Sequence, residues 1–213
     1  MATYDLEEQE QLATLKAWWK DNGNLVLTSV SLVLIVLAAW QAWNYYQRNQ
    51  AAQASALYEN VQKAARAGDV KQVRESAGTI LEQYPRTSYA AMAALVSAKA
   101  HFQGGDLKTA RAQLAWVVEN TRDEGLQDIA RVRLAIVMLD EKAYDDALKT
   151  LDVKHGATFD ALFLATRGDI LVAQGKTEEA RAAYKSALEK ADSRDSGLRA
   201  SIQLRLDALG AAK

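Results

Sequence analysis

The sequence predicts an all-α protein, one transmembrane helix followed by an α-solenoid of about four helix pairs plus a capping helix, and three observations lead there. Residues 25–46 read LVLTSVSLVLIVLAAWQAWNYY, without a charge. In the remainder, turn positions recur at a nearly fixed spacing: Gly68, Gly105, Lys142 and Gly175 are equivalent and lie 37, 37 and 33 residues apart. No stretch sustains the period-two alternation of a half-buried strand. A repeat near 34 residues is the signature of tetratricopeptide-like helix-turn-helix units, which stack because no single unit can bury its apolar face.

At about 1.5 Å of rise per residue, residues 25–46 cross a hydrocarbon core of roughly 30 Å, whereas a run of about 10–14 residues would suit a buried core helix. Thr28, Ser29, Ser31, Gln41 and Asn44 are its only polar interruptions, and no charge occurs in 22–47. Trp18 and Trp19 precede the run, and Trp40, Trp43, Tyr45 and Tyr46 close it. Amphipathic rings favour the headgroup level, so these residues form two interfacial belts. A cleavable leader would have an apolar core of about 7–15 residues behind a basic start. Here the run is longer and follows Asp5, Glu7, Glu8, Glu10 and Asp21, while the Ala52-Gln53-Ala54 triplet that imitates a cleavage site lies beyond the interfacial tyrosines. The segment reads as an uncleaved signal anchor.

Residues 1–24 form a short tail, within which 5–20 read as an amphipathic helix. Asp5 with Glu8 makes a capping-box-like start, Leu12, Leu15 and Trp19 fall on one side, and Asn22-Gly23 ends it. A tail of that size suits a membrane-surface anchor better than a folded domain. Lys16 and Lys20 precede the span against Arg48 alone in the dozen residues after it, a bias that places the amino terminus in the cytoplasm. Residues 47–54 form a helical connector. Neither Pro nor Gly occurs in 25–67, so the span should run on as one long helix until Gly68-Asp69.

Residues 55–213 hold the repeats. The last fits best, with Leu164, Gly168 and Leu171 on its first helix, Gly175 in the turn, and Ala180, Tyr184 and Ala187 on its second. Small residues at Gly168, Ala180 and Ala187 let the two helices approach closely, while Leu164, Leu171 and Tyr184 fill the space between layers. The second repeat matches through Ala94, Ala98, His101, Gly105, Ala110 and Leu114, and the third through Leu134, Ala135, Met138, Tyr144, Ala147 and Leu151. The first carries Val73 where a small residue is expected, with Pro85 at the usual closing position, as suits a terminal unit that lacks a neighbour. Residues 196–209 supply the capping helix.

Composition narrows the function. The net charge is −1, and beyond the span 24 basic residues face 22 acidic ones, which offers no electrostatic case for nucleic acid. Absence of cysteine excludes disulfides, thiol catalysis and thiolate metal sites. The two histidines, His101 and His155, have no second ligand at metal spacing, and Gly104-Gly105-Asp106 follows no strand that would make it a phosphate loop. No catalytic, cofactor or metal site is expected.

What remains is the inward, concave face of the array. Counting from each turn residue, it is built by Met92, Leu95, Lys99 and Phe102; by Ile129, Val132, Ile136 and Leu139; and by Leu162, Asp169 and Val172, with Tyr58 and Gln62 from the first repeat. These form a mostly apolar candidate groove for a partner. Lysine and asparagine clamps for a carboxylate terminus are absent, since Tyr58, Leu95, Val132 and Ala165 stand at those places. The alternative is that these side chains bury one another.

The order of parts resembles the ancillary SecYEG translocon subunit family of the bacterial inner membrane. Three stretches carry the likeness: the acidic start running into residues 15–23 (LKAWWKDNG), residues 146–152 (DALKTLD), and residues 167–171 (RGDIL) with Gly175, Ala180 and Arg181. The resemblance implies a single-pass protein with a cytoplasmic tail and a periplasmic repeat domain. Its implied partners are the lipid bilayer, the Sec translocon, a membrane-anchored periplasmic chaperone of the prolyl-isomerase type and unfolded client proteins. A structural scaffold for envelope assembly or division, or a regulator acting through the tail, stays open as an alternative.

Overall fold

The computed structural model describes residues 2–211, with the side chains of 8–210, so the expected Asp5 cap lies outside the described side chains. Every regular element among the described residues is helical: α1 (Ala2–Arg66), α2 (Val70–Gln83), α3 (Ser88–Gln103), α4 (Leu107–Asn120), α5 (Glu124–Asp140), α6 (Tyr144–Leu151), a short 3-10 turn (Ala157–Phe159), α7 (Asp160–Ala173), α8 (Thr177–Lys190) and α9 (Ser196–Ala211). The chain divides into two compact units, residues 1–49 and 50–213.

The first unit is helix alone. Its apolar run is unburied by any part of the protein, and Leu25 and Ile35 are 70% and 68% exposed. Such exposure is untenable in water and expected in lipid. The break anticipated at Asn22-Gly23 does not occur, because α1 passes through both residues. Glycine costs a helix about 1 kcal/mol, but an unsatisfied backbone group at the edge of the hydrocarbon costs several, so the ladder is kept. Asn22 donates its side-chain amide to the Trp18 carbonyl at 3.1 Å, and the bare Gly23 leaves room for the Trp19 indole, whose Nε1 would lie 3.1 Å from an added Cβ.

In the second unit the last turns of α1 pack against α2 and α3. Ala54, Val61 and Ala64 form one buried cluster with Val73, Ala77, Ile80, Ala90 and Ala93. Val73 is tolerated at its close position because alanines supply the small partners around it. The pairs α3/α4, α5/α6 and α7/α8 follow, and α9 closes the array on α8. Four helix pairs and a closing helix are thus present among the described residues, as the period predicts.

Backbone geometry settles the register of the repeats. Gly68, Gly105, Lys142 and Gly175 all have positive φ, at 72°, 80°, 63° and 76°. In each case the next amide reaches back five residues to close the preceding helix: Asp69 to Ala64 at 3.0 Å, Asp106 to His101 at 2.9 Å, Ala143 to Met138 at 2.8 Å, and Lys176 to Leu171 at 2.9 Å. This Schellman closure needs a left-handed residue, which glycine adopts without strain. Five residues beyond each turn, Val73, Ala110, Ala147 and Ala180 are fully buried.

Lys142 is the one non-glycine at a positive φ among the described residues. A left-handed L-residue costs about 1–2 kcal/mol, against about 0.4–1 kcal/mol for the extra freedom a glycine has when unfolded. Lys142→Gly is therefore expected to stabilise the repeat domain by about 0.5–1 kcal/mol, read as a rise in the urea or thermal midpoint. A fall would mean that the lysine side chain contributes more than its backbone costs.

The third repeat is the irregular one, because α6 has only eight residues. Its carboxyl-terminal loop is fixed by Asp128, which is buried, accepts the Gly156 amide at 2.9 Å and pairs with Arg131 at 3.0 Å. His155 in the same loop stacks on Phe163 at 3.9 Å between centroids and approaches Asp160 at 3.3 Å. Both histidines thus have packing roles, His101 being buried with Nδ1 3.1 Å from Asp106.

Candidate functional site

First helices of successive repeats lie side by side, so a residue six positions before the turn in one faces the same way as its counterpart in the next. Alternating small and large side chains then decide where this surface closes and where it opens. Ala91, Ala94 and Ala98 of α3 and Ala135 of α5 are buried in the central cluster. Leu95 and Val132, expected to line the groove, are only 6% and 3% exposed and belong to the central core. The side chains of the central cluster enclose them, so they offer no surface to a partner.

One turn further along, the same two helices leave a gap. A pocket of about 270 Å³ opens between α3 and α5 over Leu114 of α4, lined also by Ala98, Lys99, Phe102, Arg133, Ile136 and Val137. Lys99, Phe102 and Ile136 come from the expected set and are brought together here. Phe102 and Ile136 are half-buried, each resting on the core while offering a face to the pocket, whereas Lys99 and Arg133 are exposed. Arg133 has no signal in the apolar periodicity, because it sits one residue beyond the inward row.

The other expected residues fall into three groups. Ile129, Leu139 and Leu162 are half-buried against the core, and Met92 is half-buried outside it. Val172 is 40% exposed on α7. Asp169 is not a free polar group: its carboxylate accepts the Tyr184 hydroxyl of α8 at 2.7 Å and pairs with Arg205 of α9 at 2.7 Å. Burial pushes this carboxyl up from the usual carboxylate range, while Tyr184 and Arg205 pull it down. Burial, followed by the bond to Asp169, pushes the Tyr184 phenol well up in turn. Three helices are thereby tied at the carboxyl end of the array, so Asp169 is a structural cross-link there. Trp18, Trp19, Trp40, Trp43, Tyr45 and Tyr46 are exposed along α1.

The profile of a tetratricopeptide repeat-like domain matches residues 16–211. A protein of Neisseria gonorrhoeae named ancillary SecYEG translocon subunit is 33% identical over 208 residues, which is 96% of this chain and 98% of the relative. Proteins of the same name from Haemophilus influenzae and Escherichia coli are 32% and 30% identical, over 86% and 85% of this chain and 90% and 87% of their own lengths. With relatives of one name aligned over nearly the whole chain, and a repeat profile that takes in the α3–α5 pocket, the protein belongs to the ancillary SecYEG translocon subunit family.

Proposed function

We propose that the protein is a non-enzymatic, membrane-anchored adaptor of the Sec translocation channel, which holds segments of other proteins on its inward face and passes emerging chains to periplasmic chaperones. The observation that carries this reading is the open apolar pocket between α3 and α5, in a chain whose relatives are named as translocon subunits. An apolar pocket with a polar rim gives useful but reversible affinity once ordering costs are subtracted, which suits transfer better than storage. A membrane-anchored chaperone of the prolyl-isomerase type is its companion at the channel. Residues 25–46 anchor it as a single pass, with the amino terminus in the cytoplasm and 48–213 in the periplasm; Lys16 and Lys20 ahead of the span against Arg48 behind it support that orientation.

The test is native purification in mild detergent with mass spectrometry, together with a photo-crosslinker at position 99. Sec channel subunits should co-purify, and adducts from position 99 should contain channel, chaperone or client. Co-purification of channel subunits without any adduct from position 99 would move the site elsewhere. Orientation is checked with protease on spheroplasts: the repeat domain should be digested without lysis, and its survival until lysis reverses the topology.

A further inference from the structure

The cations at the rim of the α3–α5 pocket are uncommitted. Some basic residues of the array have acidic partners, such as Arg111 with Glu141 at 2.7 Å, Arg131 with Asp128 at 3.0 Å and Arg205 with Asp169 at 2.7 Å. Lys99 and Arg133 are exposed on either side of an apolar floor, one on each helix, and no ion pair engages them among the described residues. No acidic side chain lines the pocket. Its volume, about 270 Å³, is at the small end for ligand sites and suits a single large side chain rather than a whole small molecule.

We propose that this pocket takes one large apolar side chain of a partner polypeptide flanked on both sides by acidic residues, whose carboxylates meet Lys99 and Arg133. The proposal rests on the reading of the inward face as the partner site and adds the chemistry of what it selects. Phe102 and Ile136 form the apolar seat, and the narrow wall at Ala98 leaves space for the incoming chain. Arg133 presents a planar fork that a carboxylate can meet with two hydrogen bonds, while Lys99 supplies a point charge on a flexible stem. A segment with basic flanks would bring like charges together beside a partly dry floor, so the rim discriminates as well as attracts. Acidic flanks commit the occupant where an apolar groove alone would accept any hydrophobic segment.

The experiment uses the full chain in detergent micelles and three fluorescein-labelled heptapeptides, each with a central phenylalanine flanked by acids, serines or lysines. Fluorescence anisotropy should show the acid-flanked peptide binding about tenfold more tightly than the serine-flanked one, with the gap closing as salt rises. The lysine-flanked peptide should bind weakest. The double variant Lys99→Glu/Arg133→Glu, at two exposed positions that leave the fold intact, should invert the order of the acid and lysine peptides. Equal binding of all three peptides, or an order that the double variant leaves unchanged, overturns the acidic preference while the inward face survives as a partner site. Binding of none overturns both. A dimer in sedimentation velocity that the double variant loses, with no peptide bound, would show the seat filled by a second copy and also overturns the proposal.

Discussion

Replacing Gly168 by leucine is expected to destabilise the repeat domain by about 3 kcal/mol, at the upper end of ordinary overpacking effects. Gly168 is buried on α7 where α8 crosses it, and an added Cβ would overlap the Tyr184 ring, only 2.6 Å from Cδ1. The ring cannot swing aside cheaply. Tyr184 is 2% exposed, and its hydroxyl is held by Asp169, which Arg205 holds in turn. Even Gly168→Ala should lower the melting temperature, although alanine is the better helix former by about 1 kcal/mol. Circular dichroism melts of the full chain measure both variants. A second comparison isolates the contact: Tyr184→Ala leaves a cavity of its own, and adding Gly168→Ala to it should cost far less than in the wild type. Equal cost in both backgrounds would show that the strain lies elsewhere.

The close approach at Gly168 was legible because it follows from periodicity. A turn residue fixes the phase, and the small and large positions around it are repeated in four units. That signal located all four positive-φ turns, including Lys142, where the residue type argues against the conformation. It also located the buried position five residues on. What it missed is non-periodic. Asp128 reaches 28 residues forward to hold the Gly156 amide, a link that no local pattern encodes, and Asp169 looks like a free groove residue until α9 delivers Arg205 to it. At Asn22-Gly23 the local rule and the solvent disagree, and the solvent wins because lipid makes an interrupted helix costlier than a glycine.

The groove was legible only as a row of positions. Leu95 and Ile136 occur in that row with the same apolar character, yet one is core and the other borders an opening. The difference comes from what packs across each side chain. Leu95 and Val132 are enclosed by the central cluster, and the opening appears at Lys99, Phe102 and Ile136. Sequence spacing assigns a direction to each side chain; only the side chains delivered opposite it by other helices decide whether that direction ends in protein or in solvent.

That division gives the other large expected effect. Phe102→Ala and Ile136→Ser should each lose about 2 kcal/mol of partner binding, about thirtyfold, because both remove an apolar seat from the centre of the site while leaving its rim. Both residues are half-buried, so some stability is lost too, and the melts should fall by less than those of Gly168→Leu. Leu95→Asp and Val132→Asp behave differently. A carboxylate in the centre of the core must be protonated or drag water in with it, and these variants should lose cooperative unfolding altogether. Cross-linking yield to the Sec channel and its associated proteins, measured beside circular dichroism for all four variants, separates the cases. Folded Phe102 and Ile136 variants that bind as the wild type does would remove the pocket from the mechanism. Folded Leu95 and Val132 variants would mean that the array opens in solution, and that the binding surface extends along the full inward row.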